Sequence, residues 1–149
     1  MTVILNYNTK MKKTVYIPMA ADIIHPGHIN IIKEGKKLGS VIIGLLTDEA
    51  IISYKRIPVM NYEHRLEVVK NIKGVDKVMA QKSLDYCENL KVLRPDYLLH
   101  GDDWKTGVMS KPRKEAIKVI SQWGGQVVEP KYTRGISSSA LIEKLKSID

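Results

Sequence analysis

Two histidines stand three positions apart in the sequence, separated by a proline and a glycine. His25 and His28 flank Pro26 and Gly27 where an apolar, strand-like segment gives way to a helical pattern. A helix N-terminus offers unpaired backbone N–H groups and a partial positive charge, and both favour a bound phosphate. Gly27 has no side chain, so a ligand can approach the backbone. The motif therefore predicts a site where both imidazoles stabilise a phosphate that gains charge during a reaction.

Taken alone, this motif has simpler interpretations. It is equally compatible with a turn that carries two incidental histidines. A zinc site is less favoured, because His64 and His100 stand singly and no further ligands occur at metal-binding spacing. Cys87, the single cysteine, lies in a helical pattern without an adjacent histidine, which favours a structural thiol over a nucleophile.

A second anion-binding pattern lies near the C-terminus. Gly135 precedes three serines, Ser137, Ser138 and Ser139, at the start of the last helical pattern. Serine hydroxyls and the N–H groups of a helix start can hold phosphate oxygens, although an ordinary helix cap is the simpler interpretation of the serines alone. If both motifs act on one ligand, the two segments must converge in the fold.

Composition and charge restrict the class of protein. The chain has 149 residues and a net charge of +8, which predicts one domain with anionic partners. Its lysines are spread along the chain, so we expect a phosphate pocket and no nucleic-acid partner. No apolar run approaches the roughly 20 residues that span a bilayer, so no membrane partner is expected. Residues 1–13 lack the order of a secretory signal, which predicts an N-terminal extension on a cytoplasmic protein.

Strand-like and helix-like segments alternate along the chain. Strands are predicted at 14–19, 41–47, 76–80, 96–101 and 126–130, and helices at 28–39, 62–72, 84–93, 109–123 and 137–147. This alternation predicts the α/β class, with a Rossmann-like, doubly wound, parallel five-stranded sheet and helices on both faces. Ligands of such sheets bind at the carboxyl ends of the strands, where the histidine motif falls.

The motifs together resemble those of the HxGH nucleotidyltransferase superfamily. The segments DIIHPGH (22–28), HGDDW (100–104) and YTRGISS (132–138) are similar to signatures of its cytidylyltransferase branch, which includes the glycerol-3-phosphate and phosphoethanolamine enzymes. Lys55 and YEHR (62–65) match that branch's lysine and helix start. The resemblance to this branch covers roughly residues 14–145. The stretches SYKRIPVMNYEHR, NIKGVDKV, HGDDWKTG and WGGQVVEPKYTRGISSSAL most resemble the nucleotidyltransferase domain associated with phosphoenolpyruvate mutase.

The resemblance implies a function for residues 14–149 as a nucleotidyltransferase domain. It implies transfer of CMP from CTP to a small phosphorylated or phosphonate acceptor, with release of pyrophosphate and a link to phosphonate metabolism. It also implies a homodimer, and Mg²⁺ held by the triphosphate without direct protein ligands. An ATP-dependent adenylyltransferase of the heptose-phosphate or pantetheine-phosphate type and a non-catalytic nucleotide-binding regulator are the alternatives.

Carried over position by position, the resemblance implies three groups of site residues. His25, His28 and Lys55 are the expected catalytic residues, and Lys55, Arg65 and Arg134 are expected to bind the acceptor. The expected nucleotide-binding residues are Met19, Ala20, Ala21, Asp22, Gly27, Gly101, Asp103, Trp104, Thr133, Gly135, Ile136, Ser137 and Ser138. The sequence departs from the branch in three places: residues 19–22 replace a GTFD-like segment, Tyr132 replaces an arginine, and Arg134 replaces a glutamate.

Overall fold

Five parallel strands form a single sheet in the computed structural model, which describes residues 12–148. Residues 1–11, most of the predicted N-terminal extension, lie outside the described residues. The strands lie in the order β3-β2-β1-β4-β5. Their bounds are β1 Thr14–Met19, β2 Ser40–Leu46, β3 Lys77–Gln81, β4 Tyr97–Leu99 and β5 Gln126–Val128.

Six α-helices connect and flank these strands. They are α1 Pro26–Leu38, α2 Asp48–Ile52, α3 Tyr62–Val69, α4 Cys87–Leu93, α5 Ser110–Ser121 and α6 Ser138–Lys146. Short 3₁₀ turns at Asp102–Trp104 and Gly107–Met109 lie between β4 and α5. Side chains of Thr47, Asn61 and Ser137 cap α2, α3 and α6, which satisfies backbone N–H groups that a helix start leaves unpaired.

The core lies on both faces of the sheet. Successive side chains of a strand point to opposite faces, so Ile17 of β1 packs with Ile32 of α1 and Val69 of α3 on one face. Tyr16 of β1 packs with Leu90 of α4 on the other face, where α5 also contributes. This arrangement confirms the predicted doubly wound parallel sheet with helices on both faces.

The strand order reverses between β1 and β4. From β1 the chain continues outward to β2 and β3, whereas β4 lies on the other side of β1 and is followed by β5. The loops that leave the carboxyl ends of β1 and β4 therefore diverge and leave a crevice between them, which is where ligands bind in sheets of this class. The histidine motif begins in the first of these loops.

The predicted segments differ from the structure mainly at their ends. The strand expected at 96–101 is limited to Tyr97–Leu99, and the helix expected from residue 84 begins at Cys87. Helix α2 was not predicted, because its five residues are too few to show helical periodicity. None of the helices in the described part of the chain has the length and apolar character needed to cross a membrane.

Candidate active site

A pocket of about 610 Å³ opens at the carboxyl ends of β1 and β4. That volume falls within the roughly 300–1,000 Å³ typical of small-molecule sites. Most residues expected from the sequence meet in it. The expected residues that line the pocket are Met19, Ala20, His25, Gly27, His28, Lys55, Gly101, Asp103, Trp104, Thr133, Ser137 and Ser138.

The two histidines of the motif cap helix α1 reciprocally. The backbone N–H of Gly27 donates to Nδ1 of His25 (3.0 Å), and the backbone N–H of His25 donates to Nδ1 of His28 (3.2 Å). A ring nitrogen that accepts a hydrogen bond carries no proton, so each neutral ring carries its proton on Nε2. The rings lie with their centroids 4.1 Å apart. The helix cap therefore leaves two N–H donors free for a ligand in the pocket.

The protein environment favours the neutral form of both rings. Burial, followed by the nearby His25 and Lys55, lowers the pKa of His28 to about 4. Burial also lowers the pKa of His25 below its usual value, with a second contribution from Lys55. Near neutral pH these histidines are hydrogen-bond donors and not fixed cations, so Lys55 supplies the positive charge beside them.

Gly27 has no room for a side chain. A Cβ atom at this position would lie 2.6 Å from Cε1 of His25 and 3.6 Å from Cβ of Thr133. A larger residue would therefore displace the His25 ring. The contact with Thr133 also shows that the C-terminal motif reaches the histidine loop, as does the hydrogen bond from the Asn30 amide to the Thr133 hydroxyl (3.2 Å).

The two serines at the start of α6 act differently. The hydroxyl of Ser137 accepts a hydrogen bond from the backbone N–H of Ala140 (3.0 Å), so its own proton can be donated into the pocket. The hydroxyl of Ser138 is buried and donates to the carbonyl oxygen of Ile23 (3.1 Å). Both hydroxyls were expected from the sequence to hold phosphates. The Ser138 hydroxyl instead donates its proton to Ile23, and this bond joins α6 to the histidine loop.

Asp22 lies outside the pocket lining and supports the loop that carries Lys55. Its carboxylate is buried and accepts hydrogen bonds from the backbone N–H groups of Val59 and Met60, both at 2.9 Å. The Arg56 guanidinium lies 3.2 Å from the same carboxylate. Asp22 is therefore placed to hold the segment after β2 against the end of β1.

Arg65 lies outside the pocket lining, although the resemblance implies that it binds the acceptor. Its side chain is fully buried and donates to the carbonyl oxygens of Ala20 (2.8 Å), Leu46 (2.7 Å) and Met60 (2.9 Å). A further bond joins it to the Asp48 carboxylate (2.6 Å). Because these partners occupy its donors, Arg65 stabilises the ends of β1 and β2 and does not reach the pocket.

Four other expected residues also lie outside the pocket lining. Ala21 is buried beneath it with a φ of 52°, and Gly135 turns the chain toward α6 with a φ of 83°. Ile136 is half-buried beside them. Arg134 lines an adjoining cleft of about 460 Å³ together with Asp102, Lys131 and Tyr132. Arg134 is therefore a neighbour of the main pocket and not part of its wall.

The pocket wall contains aromatic residues that the sequence analysis did not assign to it. His100 stacks on Trp104, with ring centroids 3.9 Å apart and an angle of 7° between the planes. Tyr54, Tyr86 and Tyr132 complete this aromatic wall. Two of these positions, His100 and Tyr132, stand at the edges of motifs that were recognised, which is the one signal in the sequence that pointed toward them.

One group of potential metal ligands occurs among residues 12–148, and none of its members lines the pocket. Ligand atoms of Asp85, Cys87 and Glu115 lie within 4.8 Å of one another. Burial, together with hydrogen bonding to Asp85, raises the pKa of the Cys87 thiol to about 11. A thiol with so high a pKa is a poor nucleophile, as expected for a structural cysteine.

Comparisons with known proteins agree with this geometry. The cytidylyltransferase-like family model matches residues 20–144. The ethanolamine-phosphate cytidylyltransferase of Dictyostelium discoideum is 32% identical over 133 residues, which cover 88% of this chain and 36% of that protein. The FAD synthase of Archaeoglobus fulgidus is 40% identical over 82 residues, which cover 55% of this chain and 60% of that protein.

A solved structure shares the fold over most of the chain. The lipopolysaccharide core biosynthesis protein from Thermoplasma volcanium GSS1 superposes with a TM-score of 0.68 at 25% identity, covering 83% of this chain and 98% of that one. The chain spans about a third of the Dictyostelium enzyme, as the 36% coverage shows. The family model nevertheless covers strands β2 to β5, the paired histidines and the start of α6. The chain belongs to the cytidylyltransferase-like family of the nucleotidyltransferase superfamily.

Proposed function

We propose that this protein transfers CMP from CTP to a small phosphorylated or phosphonate acceptor and releases pyrophosphate. The observation that carries the proposal is the convergence of four elements on one pocket. Two imidazole N–H donors, the Lys55 ammonium group and the N-terminus of α6 all border it. Each of these groups favours phosphate oxygens, and together they can hold the chain of phosphates of one nucleotide.

The reaction is a single in-line displacement at the α-phosphorus of CTP. An oxygen of the acceptor forms a bond to that phosphorus, and the bond from phosphorus to the bridging oxygen of the β-phosphate breaks. Pyrophosphate leaves with the electron pair of that bond. The acceptor oxygen is already ionised near neutral pH, since the second pKa of a phosphate is about 6, so no general base is needed. Catalysis then depends on positioning the reactants and stabilising charge.

The residues of the pocket divide this work between them. The Nε2–H groups of His25 and His28 donate to the oxygens of the α-phosphate as charge accumulates there. Lys55 places its positive charge beside them, between the α-phosphate and the acceptor. The Ser137 hydroxyl and the free N–H groups of α6 hold the β- and γ-phosphates. All of these groups border the pocket, and their donating hydrogens are not used in the hydrogen bonds of the helix caps.

Nucleoside triphosphates are used as their Mg²⁺ complexes in reactions of this type. The pocket lining is compatible with that ion. Mg²⁺ prefers oxygen ligands, keeps several waters and needs few protein carboxylates. Asp103 is a pocket-lining carboxylate that could orient those waters. When bound, the ion would neutralise charge on the phosphates and improve pyrophosphate as a leaving group.

The acceptor class and the oligomer are parts of the same proposal. The resemblance to the domain associated with phosphoenolpyruvate mutase supports a phosphonate acceptor, and the name of the ethanolamine-phosphate relatives supports an amino-alcohol phosphate. An amino-alcohol phosphate and an aminoalkyl phosphonate are both small zwitterions, whose opposite charges would complement Lys55 and Asp103 in the pocket lining. A homodimer is proposed from the family resemblance, and sedimentation velocity at two protein concentrations would test it.

An ATP-dependent adenylyltransferase is the second candidate. It is favoured by the FAD synthase relatives, of which the Archaeoglobus fulgidus protein is 40% identical over 82 residues. Both candidates use the same phosphate-binding groups, because the base does not take part in the displacement. They differ in whether the pocket accepts a pyrimidine or a purine.

A pyrophosphate-release screen tests these candidates directly. CTP and ATP are each paired with aminoalkyl phosphonates, amino-alcohol phosphates and polyol phosphates, with Mg²⁺ present. The proposal expects turnover with CTP and one of the first two classes. Turnover with ATP alone would replace it with the adenylyltransferase. Nucleotide binding without pyrophosphate release in any pairing would contradict both and favour a non-catalytic regulator.

A further inference from the structure

Glu129 lies immediately after β5 and outside the pocket lining, but its carboxylate is bonded to a residue of the pocket wall. Its Oε2 atom accepts a hydrogen bond of 2.8 Å from the indole N–H of Trp104. The Trp104 side chain is 1% exposed, so water cannot replace that acceptor. A buried donor without a partner is destabilising, and Glu129 therefore fixes the orientation of the indole ring.

Arg113 of α5 fixes Glu129 in turn. Its Nε donates to Oε2 of Glu129 (3.0 Å) and its Nη2 donates to Oε1 (2.8 Å). This two-point contact leaves the carboxylate little freedom to rotate. The hydrogen bonds from Arg113 lower the pKa of Glu129, with a further contribution from Trp104. The carboxylate is therefore ionised near neutral pH and serves the indole as an acceptor.

Trp104 carries this constraint to the pocket wall. It stacks on His100 with the ring planes 7° apart, and the Nδ1–H of His100 donates to the carbonyl oxygen of Gly101 (2.9 Å). Asp103 lies beside Trp104 in the same 3₁₀ turn. The indole, the imidazole and the turn thus all line the pocket, and the stacked rings place the imidazole against the indole.

We propose that Glu129, held by Arg113, is a positioning residue of the substrate pocket. It touches no substrate and acts through Trp104, which orders His100 and the turn that carries Asp103. The proposal rests on the proposed function, because it assumes that the nucleotide and its acceptor occupy this pocket. Its expected effect is on substrate binding more than on the displacement, since the paired histidines follow β1 whereas Trp104 follows β4.

Three variants test this relationship in the full chain. Glu129→Leu removes the acceptor with little change in size, Glu129→Gln retains an oxygen for the indole, and Lys111→Met is a control for loss of a charge on α5. Lys111 is 84% exposed and lies 3.9 Å from Glu115. Three measurements are made on each: CTP affinity by calorimetry, kcat and KM, and the indole N–H cross-peaks in a ¹H–¹⁵N spectrum.

The two tryptophans give two such cross-peaks, which Trp123→Phe assigns. We expect the Trp104 cross-peak to shift in Glu129→Leu and CTP to bind about tenfold more weakly, the consequence of leaving one buried donor unpaired. In Glu129→Leu the KM for CTP should rise by a larger factor than kcat falls. Glu129→Gln should restore most of the CTP affinity. Lys111→Met should match the parent in all three measurements.

A folded Glu129→Leu protein with an unshifted Trp104 cross-peak and parental CTP affinity would overturn the proposal. A shifted cross-peak with unchanged affinity would also overturn it, because Glu129 would then order the indole without affecting the pocket. If the parent protein releases no pyrophosphate but binds CTP, the proposed function fails while the affinities still decide the role of Glu129. If the parent binds no nucleotide, both proposals fail.

Discussion

The hydroxyl of Ser138 donates a hydrogen bond of 3.1 Å to the carbonyl oxygen of Ile23, a residue 115 positions earlier in the chain. This bond joins the start of α6 to the loop that carries the paired histidines. The two segments that are predicted from the sequence to bind phosphate therefore border one pocket, and a buried contact joins them. Several consequences of this arrangement can be measured.

Replacing Ser138 by alanine should loosen the join between α6 and the histidine loop. The Ile23 carbonyl would lose its partner, which should lower the free energy of unfolding by about 1 kcal/mol. The catalytic efficiency should fall as well, because the phosphate-binding groups would no longer be held together. Urea denaturation and pyrophosphate release measure the two effects. Ser139→Ala is the matched control, since Ser139 is exposed, and equal behaviour of the two variants would contradict the argument.

Replacing Asp22 by asparagine should release the loop that carries Lys55. One of the two backbone donors, Val59 or Met60, would then face an amide N–H group instead of an oxygen. We expect a loss of about 1–3 kcal/mol in the free energy of unfolding. The KM for the acceptor should rise because Lys55 is less well placed. If Asp22 instead contacts the bound nucleotide, the loss would appear in CTP affinity with the fold unchanged, and calorimetry distinguishes the two outcomes.

Arg65→Met should destabilise the protein more than any of the other substitutions proposed. It removes the donors for three carbonyl oxygens and leaves the Asp48 carboxylate without its partner. The Asp48 side chain is 32% exposed, so water partly replaces its partner, but each buried acceptor left unpaired typically costs about 1–3 kcal/mol. Urea denaturation measures the loss, with Lys70→Met on the exposed side of the same region as control. A stable Arg65→Met protein with a raised KM for the acceptor would restore the role expected from the sequence.

Stability should fall as the pH falls below the ordinary histidine pKa of 6.5, because the pKa of His28 is about 4 in the folded protein. Between these values the unfolded chain takes up a proton that the folded protein excludes, so acid favours unfolding. Above pH 6.5 both states are neutral at this residue and the contribution is absent. Denaturation at a series of pH values from about 7 to 5 should show a flatter dependence in His28→Asn. A slope equal to that of the parent would show that His28 is not the group responsible.

The doubly wound sheet could be predicted because its strands and helices leave separate periodic signals in the sequence. The pairing of His25 and His28 at a helix start was also predictable, since a cap is a local arrangement within a few residues. Their common tautomer was not, because it depends on which backbone N–H each ring accepts. That assignment needs coordinates.

Arg65 shows why the remaining site residues were harder to place. Its position in a recognised motif suggested a ligand contact, but it shares the buried face of α3 with Val69, four positions later. That helical spacing was the available signal for burial. The aromatic wall could not have been assembled from the sequence, because Tyr54, Tyr86, His100 and Tyr132 come from separate loops that only the sheet topology brings together.

The turnover of His28→Ala tests the central claim most directly. Loss of one preorganised donor to the transition state should lower kcat by a factor of about 10²–10³. CTP should still bind, because other groups also hold its phosphates. His64→Ala is the matched control, since His64 is exposed on α3 and lies outside the pocket lining. Pyrophosphate release under saturating CTP and acceptor gives the answer. We expect His64→Ala to keep the parental rate and His28→Ala to lose it. A near-parental rate in folded His28→Ala would contradict the proposed role of the paired histidines.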